Sequence, residues 1–201
     1  MTYGAGYTFW SIFGTSIDIP AVLLKLVGLG YEVAKAIYRD GGIYIEPLPG
    51  GFAARRVFED GVVYVTVDLN KWAVGAFADS LPLLNRAVGD LARAYIELSM
   101  PEPPRAELYI SFGFAASDCR TEKIYISGVE FEKTGLVLRH GDTEGGDGIY
   151  ISITPLGRGR QIFYLMAGGR WSFVVEYLKR VGDYVRAVLT YYTCGAGSEE
   201  S

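Results

Sequence analysis

The chain has 201 residues, half of them apolar, and a formal net charge of −4. That length fits one domain or two small ones, and the apolar residues suffice for a core. The acidic balance argues against generic nucleic-acid binding, because such binding depends on Lys and Arg side chains that neutralise phosphates. A local basic patch is still compatible with this balance.

No stretch of the sequence has the pattern of a membrane span. The longest apolar stretch, residues 17–38, contains Asp18, Lys25, Glu32 and Lys35, which a span of about 20 apolar residues would not carry. The N-terminus lacks the basic region of an ordinary signal peptide. We therefore expect a soluble, cytoplasmic protein with no membrane partner. The chain has only two Asn and one Gln, which is typical of proteins from hot-living organisms.

The first half of the chain, residues 1–99, has the pattern of a β-α-β-β-β-α unit. Residues 7–14 are aromatic and β-branched on both faces, which favours a strand that is covered on both sides or lies in an interface. A helix follows, with Ser16 or Asp18 as its cap and Pro20 near its first turn.

Three strands and a second helix complete the first half. The strands are predicted at 43–47, 52–58 and 62–68, and the last two flank a hairpin turn. Residues 70–77 are interpreted as the start of a helix. The clearer amphipathic helix begins after Ser80, which has the position of a cap, and its apolar stripe reaches Leu98.

A proline-rich connector separates the two halves of the chain. Residues 99–104 contain three prolines, which stiffen the connector and exclude a helix there. The second half, 105–194, is mostly strand, and a long amphipathic helix over 171–192 closes it. Residues 195–201 are predicted to form a flexible tail. Strands are predicted at 108–115, 123–132, 135–140, 149–154 and 160–167.

The element order predicts an α+β fold with an antiparallel or mixed sheet of about eight strands and about three long helices. The halves look like two related β-rich units, each closed by an amphipathic helix. Residues 42–45, Gly-Ile-Tyr-Ile, recur at 148–151, which indicates either a duplication or coincidence in a Tyr- and Ile-rich sheet. The element order resembles both a ferredoxin-like unit and the repeats of TATA-binding-protein-like folds, without a shared residue motif.

Residues 138–144, Leu-Arg-His-Gly-Asp-Thr-Glu, resemble the strand-end motif of the histidine phosphatase family. The resemblance implies a phosphoryl-accepting His140 and a phosphate-holding Arg139. That chemistry also needs a second His, and His140 is the only His in the chain. The alternative is a strand that ends at His140 in a Gly/Asp turn.

Arginines near the strand ends are candidates for an anion or nucleic-acid site. Residues 157–160, Gly-Arg-Gly-Arg, follow a strand and could hold a phosphate with backbone N–H and guanidinium donors. The alternative is a hairpin turn whose arginines are solvated or paired with carboxylates. The candidate residues are Arg55, Arg56, Arg158, Arg160 and Arg170.

The acidic loop after His140 is a second candidate site. Carboxylates of such a loop suit hard cations, which gives a metal-site hypothesis. The alternative is a solvated turn. The candidate ligands are His140, Asp142, Glu144 and Asp147. Cys119 and Cys194 form neither a CxxC pair nor a regular metal spacing, and the sequence leaves a disulfide between them open.

These patterns give three hypotheses about function. The leading one is a non-catalytic binding or assembly protein with a protein partner or a second copy as its ligand and no cofactor. The second is nucleic-acid or phosphate-ligand binding through the arginines. The third is a hydrolytic or metal-dependent enzyme centred on His140 and the acidic loop. No residue is predicted to be catalytic.

Overall fold

A computed structural model describes residues 6–115, 123–127, 129–132, 135–157 and 159–194. These form an α+β fold with a nine-stranded antiparallel sheet, two separate two-stranded hairpins and three helices, which confirms the predicted fold class. The helices are α1 (Ile19–Gly28), α2 (Leu81–Glu97) and α3 (Trp171–Cys194). The strands are β1 (Gly6–Ile12), β2 (Glu32–Val33), β3 (Lys35–Arg39), β4 (Gly42–Glu46), β5 (Ala54–Phe58), β6 (Gly61–Asp68), β7 (Ala73–Ala78), β8 (Arg105–Ala115), β9 (Lys123–Ile126), β10 (Val129–Glu132), β11 (Leu136–Gly141), β12 (Gly148–Gly157) and β13 (Arg160–Gly169).

The sheet has the strand order β11-β12-β13-β8-β1-β7-β6-β5-β2. Strand β1 lies near its centre and pairs with β7 on one side and with β8 on the other. The sheet therefore runs without interruption from the first half of the chain into the second. The hairpins β3–β4 and β9–β10 pair only within themselves in the described residues.

Capping side chains fix where α1 and α2 begin. The Asp18 carboxylate accepts a hydrogen bond from the Ala21 N–H at 3.0 Å, and the Ser80 hydroxyl accepts one from the Leu83 N–H at 3.4 Å. Each helix also has a proline in its first turn, where a missing N–H costs no hydrogen bond. Of the two caps considered for α1, Asp18 is the one used.

The three helices pack on one face of the sheet. Alternate strand residues such as Phe9, Val65 and Leu165 are fully buried there and form one core with the apolar sides of the helices. The ring of Phe9 meets Trp171 of α3 edge-on, with 5.1 Å between ring centroids. We name the opposite side of the sheet the open face. The helices cover only the Phe9 side of β1, and its Thr8–Trp10–Ile12 side faces away from them, so of the two alternatives for β1 the interface stays a prediction.

Two predicted elements differ from the structure. Residues 70–77 do not begin a helix, because Ala73–Ala78 forms β7 between β1 and β6. Small residues suit that position: a Cβ on Gly75 would lie 2.9 Å from the Trp10 ring. Residues 123–126 and 129–132 pair with each other as two strands instead of forming one, and Ser127 after the first has a positive φ of 52°.

The two halves have related strand orders. From the centre outwards, the first half contributes β1, β7, β6, β5 and β2, and the second contributes β8, β13, β12 and β11. Helices α2 and α3 follow β7 and β13 directly. The Gly-Ile-Tyr-Ile echo does not follow this relation, because 42–45 lie in β4 of a separate hairpin and 148–151 lie in β12 of the main sheet.

Candidate binding surface

One row of side chains crosses all nine strands on the open face. Strand register places directly opposed residues from neighbouring strands side by side, so their side chains are in contact range. Apart from charged residues at its two ends and Thr8 near its centre, the row consists of aromatic residues and one methionine. In spatial order it is Arg139, Tyr150, Met166, Tyr109, Thr8, Phe77, Tyr64, Arg55 and Glu32.

Aromatic rings of the first half form a contiguous cluster in and beside this row. Phe52 stacks on Tyr64 with 4.3 Å between ring centroids, and Phe77 lies edge-on to Phe52 at 6.2 Å. Trp10 meets Phe77 edge-on at 6.1 Å and lies over Gly75. All four side chains are only partly buried. We name these residues the N-half cluster.

Three tyrosines form a matching cluster on the second half. Tyr164 contacts Tyr109 and Tyr150, with 6.5 Å and 6.2 Å between ring centroids. The Arg139 guanidinium lies 5.4 Å from the centre of the Tyr150 ring, in the geometry of a cation–π contact. We name Tyr109, Tyr150 and Tyr164 the C-half cluster.

The side chains of Arg105, Glu107 and Tyr109 are joined by hydrogen bonds at the edge of the C-half cluster. The Tyr109 O–H donates to the Glu107 carboxylate at 2.7 Å, and Arg105 donates to the same carboxylate at 3.2 Å. Desolvation and this carboxylate raise the pKa of Tyr109, so its hydroxyl remains a donor at physiological pH. The charge of Glu107 is therefore balanced within the open face.

The open face is large enough for a macromolecular partner. Nine strands at about 4.8 Å spacing span roughly 40 Å, and three rows of outward side chains cover roughly 20 Å along the strands. The product, at most about 800 Å² because β2 and β5 are short, is close to the area that one partner contributes to a typical protein–protein interface.

The predicted arginine patch does not form within the described residues. Arg55 lies on the open face and donates to Glu32 at 2.6 Å, whereas Arg56 lies on the helix side and donates to Asp90 at 3.1 Å. Arg170 is bound to the Asp147 carboxylate. Arg160 is exposed on β13, roughly 24 Å from Arg55 across the sheet and a further roughly 20 Å along the strands. Arg158, like Cys119, lies outside the described residues.

The acidic loop after His140 is a tight turn that uses its own carboxylates. Asp142 accepts hydrogen bonds from the Glu144 and Gly145 N–H groups, and Asp147 accepts from the backbone and side chain of Arg170. Arg105 donates to the Thr143 carbonyl at 2.7 Å. These contacts hold the pKa values of Asp142 and Asp147 below their usual range, because they stabilise the ionised carboxylates.

His140 is exposed on β11 and lies at the strand end next to this turn. In the described part of the chain, no three or more His, Cys, Asp or Glu side chains are grouped to hold a metal ion. A polar depression of about 190 Å³ lies beside the turn and is lined by Arg139, Asp142 and Glu144 among others. The structure thus matches the interpretation of this motif as a strand that ends in a turn.

Replacing Asp147 by Asn should remove the part of the acid dependence of stability that comes from Asp147. The pKa of Asp147 is depressed in the folded protein, so its stabilising effect is present at neutral pH and is lost as pH falls through that pKa. In denaturant unfolding, the free energy of unfolding of wild type should be higher than that of the variant at pH 7, and the two values should converge in acid. Asp183→Asn, which alters an exposed pair at 4.0 Å, is the control. A gap between wild type and Asp147→Asn that persists unchanged at low pH would contradict the assignment.

No known family model matches this chain, and no curated protein matches it. The fold and the open face define an α+β protein with a helical cover on one side of a broad sheet. Among solved structures, a chain titled Methanococcus jannaschii TBP is similar over 92% of this chain and 98% of its own length. The two share 12% identical residues, with a TM-score of 0.35. This likeness carries no conclusion about function.

The described helices include none that is both long and apolar enough to cross a membrane.

Proposed function

We propose that this protein is a non-catalytic assembly protein that packs the open face of its sheet against a second copy of itself. The observation that carries the proposal is the aromatic row across that face, with the N-half and C-half clusters on either side of Thr8. A contiguous apolar surface of several hundred Å² on a folded protein is typical of an interaction site.

The composition of the open face supports a protein ligand. Interface centres are enriched in Tyr, Trp, Phe, Met and Arg and depleted in Lys, Glu and Asp. The open face has the aromatic, Met and Arg part of this composition, with Trp10, Tyr64 and Met166 among its residues, and its two described glutamates are paired with arginines. Tyr and Trp side chains of this kind also contribute a large share of binding free energy at interfaces.

The charges of the open face favour a protein over a nucleic acid. Arg55 is paired with Glu32 and Arg105 with Glu107, and among the described contacts only Arg139 and Arg160 of the open-face arginines lack a carboxylate partner. Binding along a phosphate backbone depends on cations that are free to replace counterions. Guanidinium groups that are already paired with carboxylates contribute little to that exchange.

A second copy is the partner that the size and symmetry of the surface support. Most oligomers use one surface on both subunits, related by a twofold axis. Two open faces of up to about 800 Å² each would bury a total close to the standard of about 1,600 Å². If the two sheets packed at the usual distance of about 10 Å, the aromatic side chains of the two copies would be in contact between them.

Replacing Tyr64 or Tyr150 by Glu should dissociate the assembly. Each substitution replaces an aromatic ring of the row by a charged side chain beside Arg55 or Arg139, where pairing of the two faces would desolvate it. We expect the dissociation constant of the dimer to rise at least about 30-fold, the effect of losing an interface hot spot. Light scattering and sedimentation over a range of concentrations measure this.

The matched control is Tyr191→Glu, which replaces a partly exposed tyrosine of α3 on the helix side. It should leave the dissociation constant unchanged, and circular dichroism should show all three variants folded. A protein that is monomeric at every concentration, or that dissociates equally in all three variants, would refute the proposal.

A further inference from the structure

Two arginines occupy equivalent positions in the two halves of the sheet. Arg55 on β5 is opposite Tyr64 of β6, and Arg139 on β11 is opposite Tyr150 of β12. Each pair lies in the row that crosses the open face, three strands out from β1 or β8. What lies beyond Arg55 therefore indicates what could lie beyond Arg139.

In the first half, strand β2 completes the environment of Arg55. Glu32 is opposite Arg55 in the register, and its carboxylate accepts a hydrogen bond from the guanidinium at 2.6 Å. The next residue, Val33, is opposite Ala54. The Ala34 N–H then donates to the Ala53 carbonyl at 2.7 Å, which extends the pairing beyond the two strand residues.

In the second half, no described strand lies beyond β11. In the first half, α1 and β2 lie between β1 and β3, whereas the described residues of the second half have no element between β8 and β9. The Arg139 side chain is exposed and lies over Tyr150. Among the described ion pairs and hydrogen bonds, none gives it the carboxylate that Arg55 has.

The outer edge of β11 has the properties of a site for strand addition. It is a six-residue strand with no Pro or Lys, two residues that commonly protect sheet edges from pairing. Val137 and Leu138 are adjacent, so they face opposite sides of the sheet, and they are 60% and 38% exposed. A strand added at this edge would satisfy backbone groups and cover both side chains.

We propose that the β11 edge binds an extended segment of a partner protein, with a carboxylate residue beside Arg139 followed by a β-branched residue. The complementary charge is specified by the equivalent pair, Glu32 with Arg55, and the apolar neighbour by Val33. The added strand runs antiparallel to β11, as β2 runs to β5. This site goes beyond the proposed function and lies at the sheet edge, outside the two aromatic clusters.

A peptide with the sequence of residues 29–36, Leu-Gly-Tyr-Glu-Val-Ala-Lys-Ala, is a direct probe because it carries the β2 pattern. We expect a fluorescein-labelled version to bind the full chain in anisotropy titrations. Arg139→Glu should weaken this binding at least about tenfold. The same peptide with Lys in place of its Glu should bind the Arg139→Glu protein better than it binds wild type, because the charges are then exchanged.

Two controls separate the edge from other surfaces. Arg186→Glu reverses an exposed charge on α3 and should leave peptide binding unchanged. A peptide with Pro in place of the Ala that follows its Val lacks the backbone donor that the Ala34 N–H provides in the equivalent pairing, so it should bind more weakly if strand addition is the mode. Tyr64→Glu, which disrupts the open-face assembly, should still bind the peptide, so the two proposals can fail independently.

Three outcomes would overturn the inference. One is the absence of detectable binding at peptide concentrations up to about 1 mM, a dissociation constant that corresponds to a binding free energy of about −4 kcal/mol. Another is binding that is the same in wild type and Arg139→Glu. The third is a dimer that dissociates on Arg139→Glu and not on Tyr64→Glu, since a second copy and not a different protein would then occupy the edge.

Discussion

Replacing Phe9 by Ala is expected to lower the free energy of unfolding by about 3–5 kcal/mol, the usual cost of removing a fully buried phenyl ring. Phe9 is completely buried between the sheet and the helices, and its ring contacts Trp171 edge-on. The substitution leaves a cavity where β1 meets α3. Urea unfolding followed by circular dichroism measures the loss.

Trp10→Ala is the informative comparison, because Trp10 is the next residue of the same strand and lies on the open face. Its ring is only partly buried, over Gly75 and against Phe77. We expect a stability loss of about 1–2 kcal/mol, in proportion to the smaller area buried within one copy. The dissociation constant of the dimer should rise at least about tenfold. Equal stability losses for Phe9→Ala and Trp10→Ala would mean that both faces of β1 are covered.

Replacing Asp90 by Ala is expected to cost about 2 kcal/mol, since it removes the shared acceptor of two donors. The Tyr31 O–H donates to Asp90 at 3.0 Å, and Arg56 donates to the same oxygen at 3.1 Å. The Arg56 guanidinium also lies 4.5 Å from the centre of the Phe58 ring. The variant leaves this guanidinium half-covered without its counter-charge, and it loosens α2 from β5. The measurement is denaturant unfolding at neutral pH.

Asp60→Ala is the matched control for this prediction. Asp60 accepts a hydrogen bond from Arg86 at 3.1 Å, but both side chains are about half exposed. An ion pair exposed to water contributes little to stability, so we expect the free energy of unfolding to fall by less than about 1 kcal/mol. If Asp60→Ala costs as much as Asp90→Ala, burial does not distinguish the two pairs and the role given to Asp90 is wrong.

Local patterns predicted much of the fold. The caps Asp18 and Ser80 lie directly before α1 and α2, and the hairpin turn at 59–60 joins β5 to β6, as expected. These features depend on neighbours in sequence, so their chemistry is readable from the residues alone. The helix predicted over 70–77 is wrong, because the alanines there favour a helix locally whereas pairing with β1 and β6 makes the segment a strand.

The pairing of charges could not be predicted, because it depends on strand order. Arg55 and Arg56 are adjacent in sequence, yet one lies on the open face with Glu32 and the other on the helix side with Asp90. Because successive side chains of a strand point to opposite faces of the sheet, two adjacent arginines must lie on different faces. This alternation does not say which distant carboxylate will lie beside each arginine.

The open face was missed although the sequence contains a signal for it. Tyr64, Tyr109, Tyr150 and Tyr164 each lie between two aliphatic or aromatic residues within a strand. If the flanking residues are in the core, each tyrosine must lie on the opposite face. Only the register shows that three of these tyrosines share one row and that the fourth lies beside it.

The central place of β1 has a consequence for how this protein is made. β1 leaves the ribosome before the strands it pairs with, and its partner β8 follows only after the proline connector. A nascent first half can form β1, β5, β6 and β7, but one backbone edge of β1 then stays unpaired. Such an edge is prone to pair with other chains. The β1 edge is therefore unpaired from the completion of α2 until β8 emerges and pairs with it.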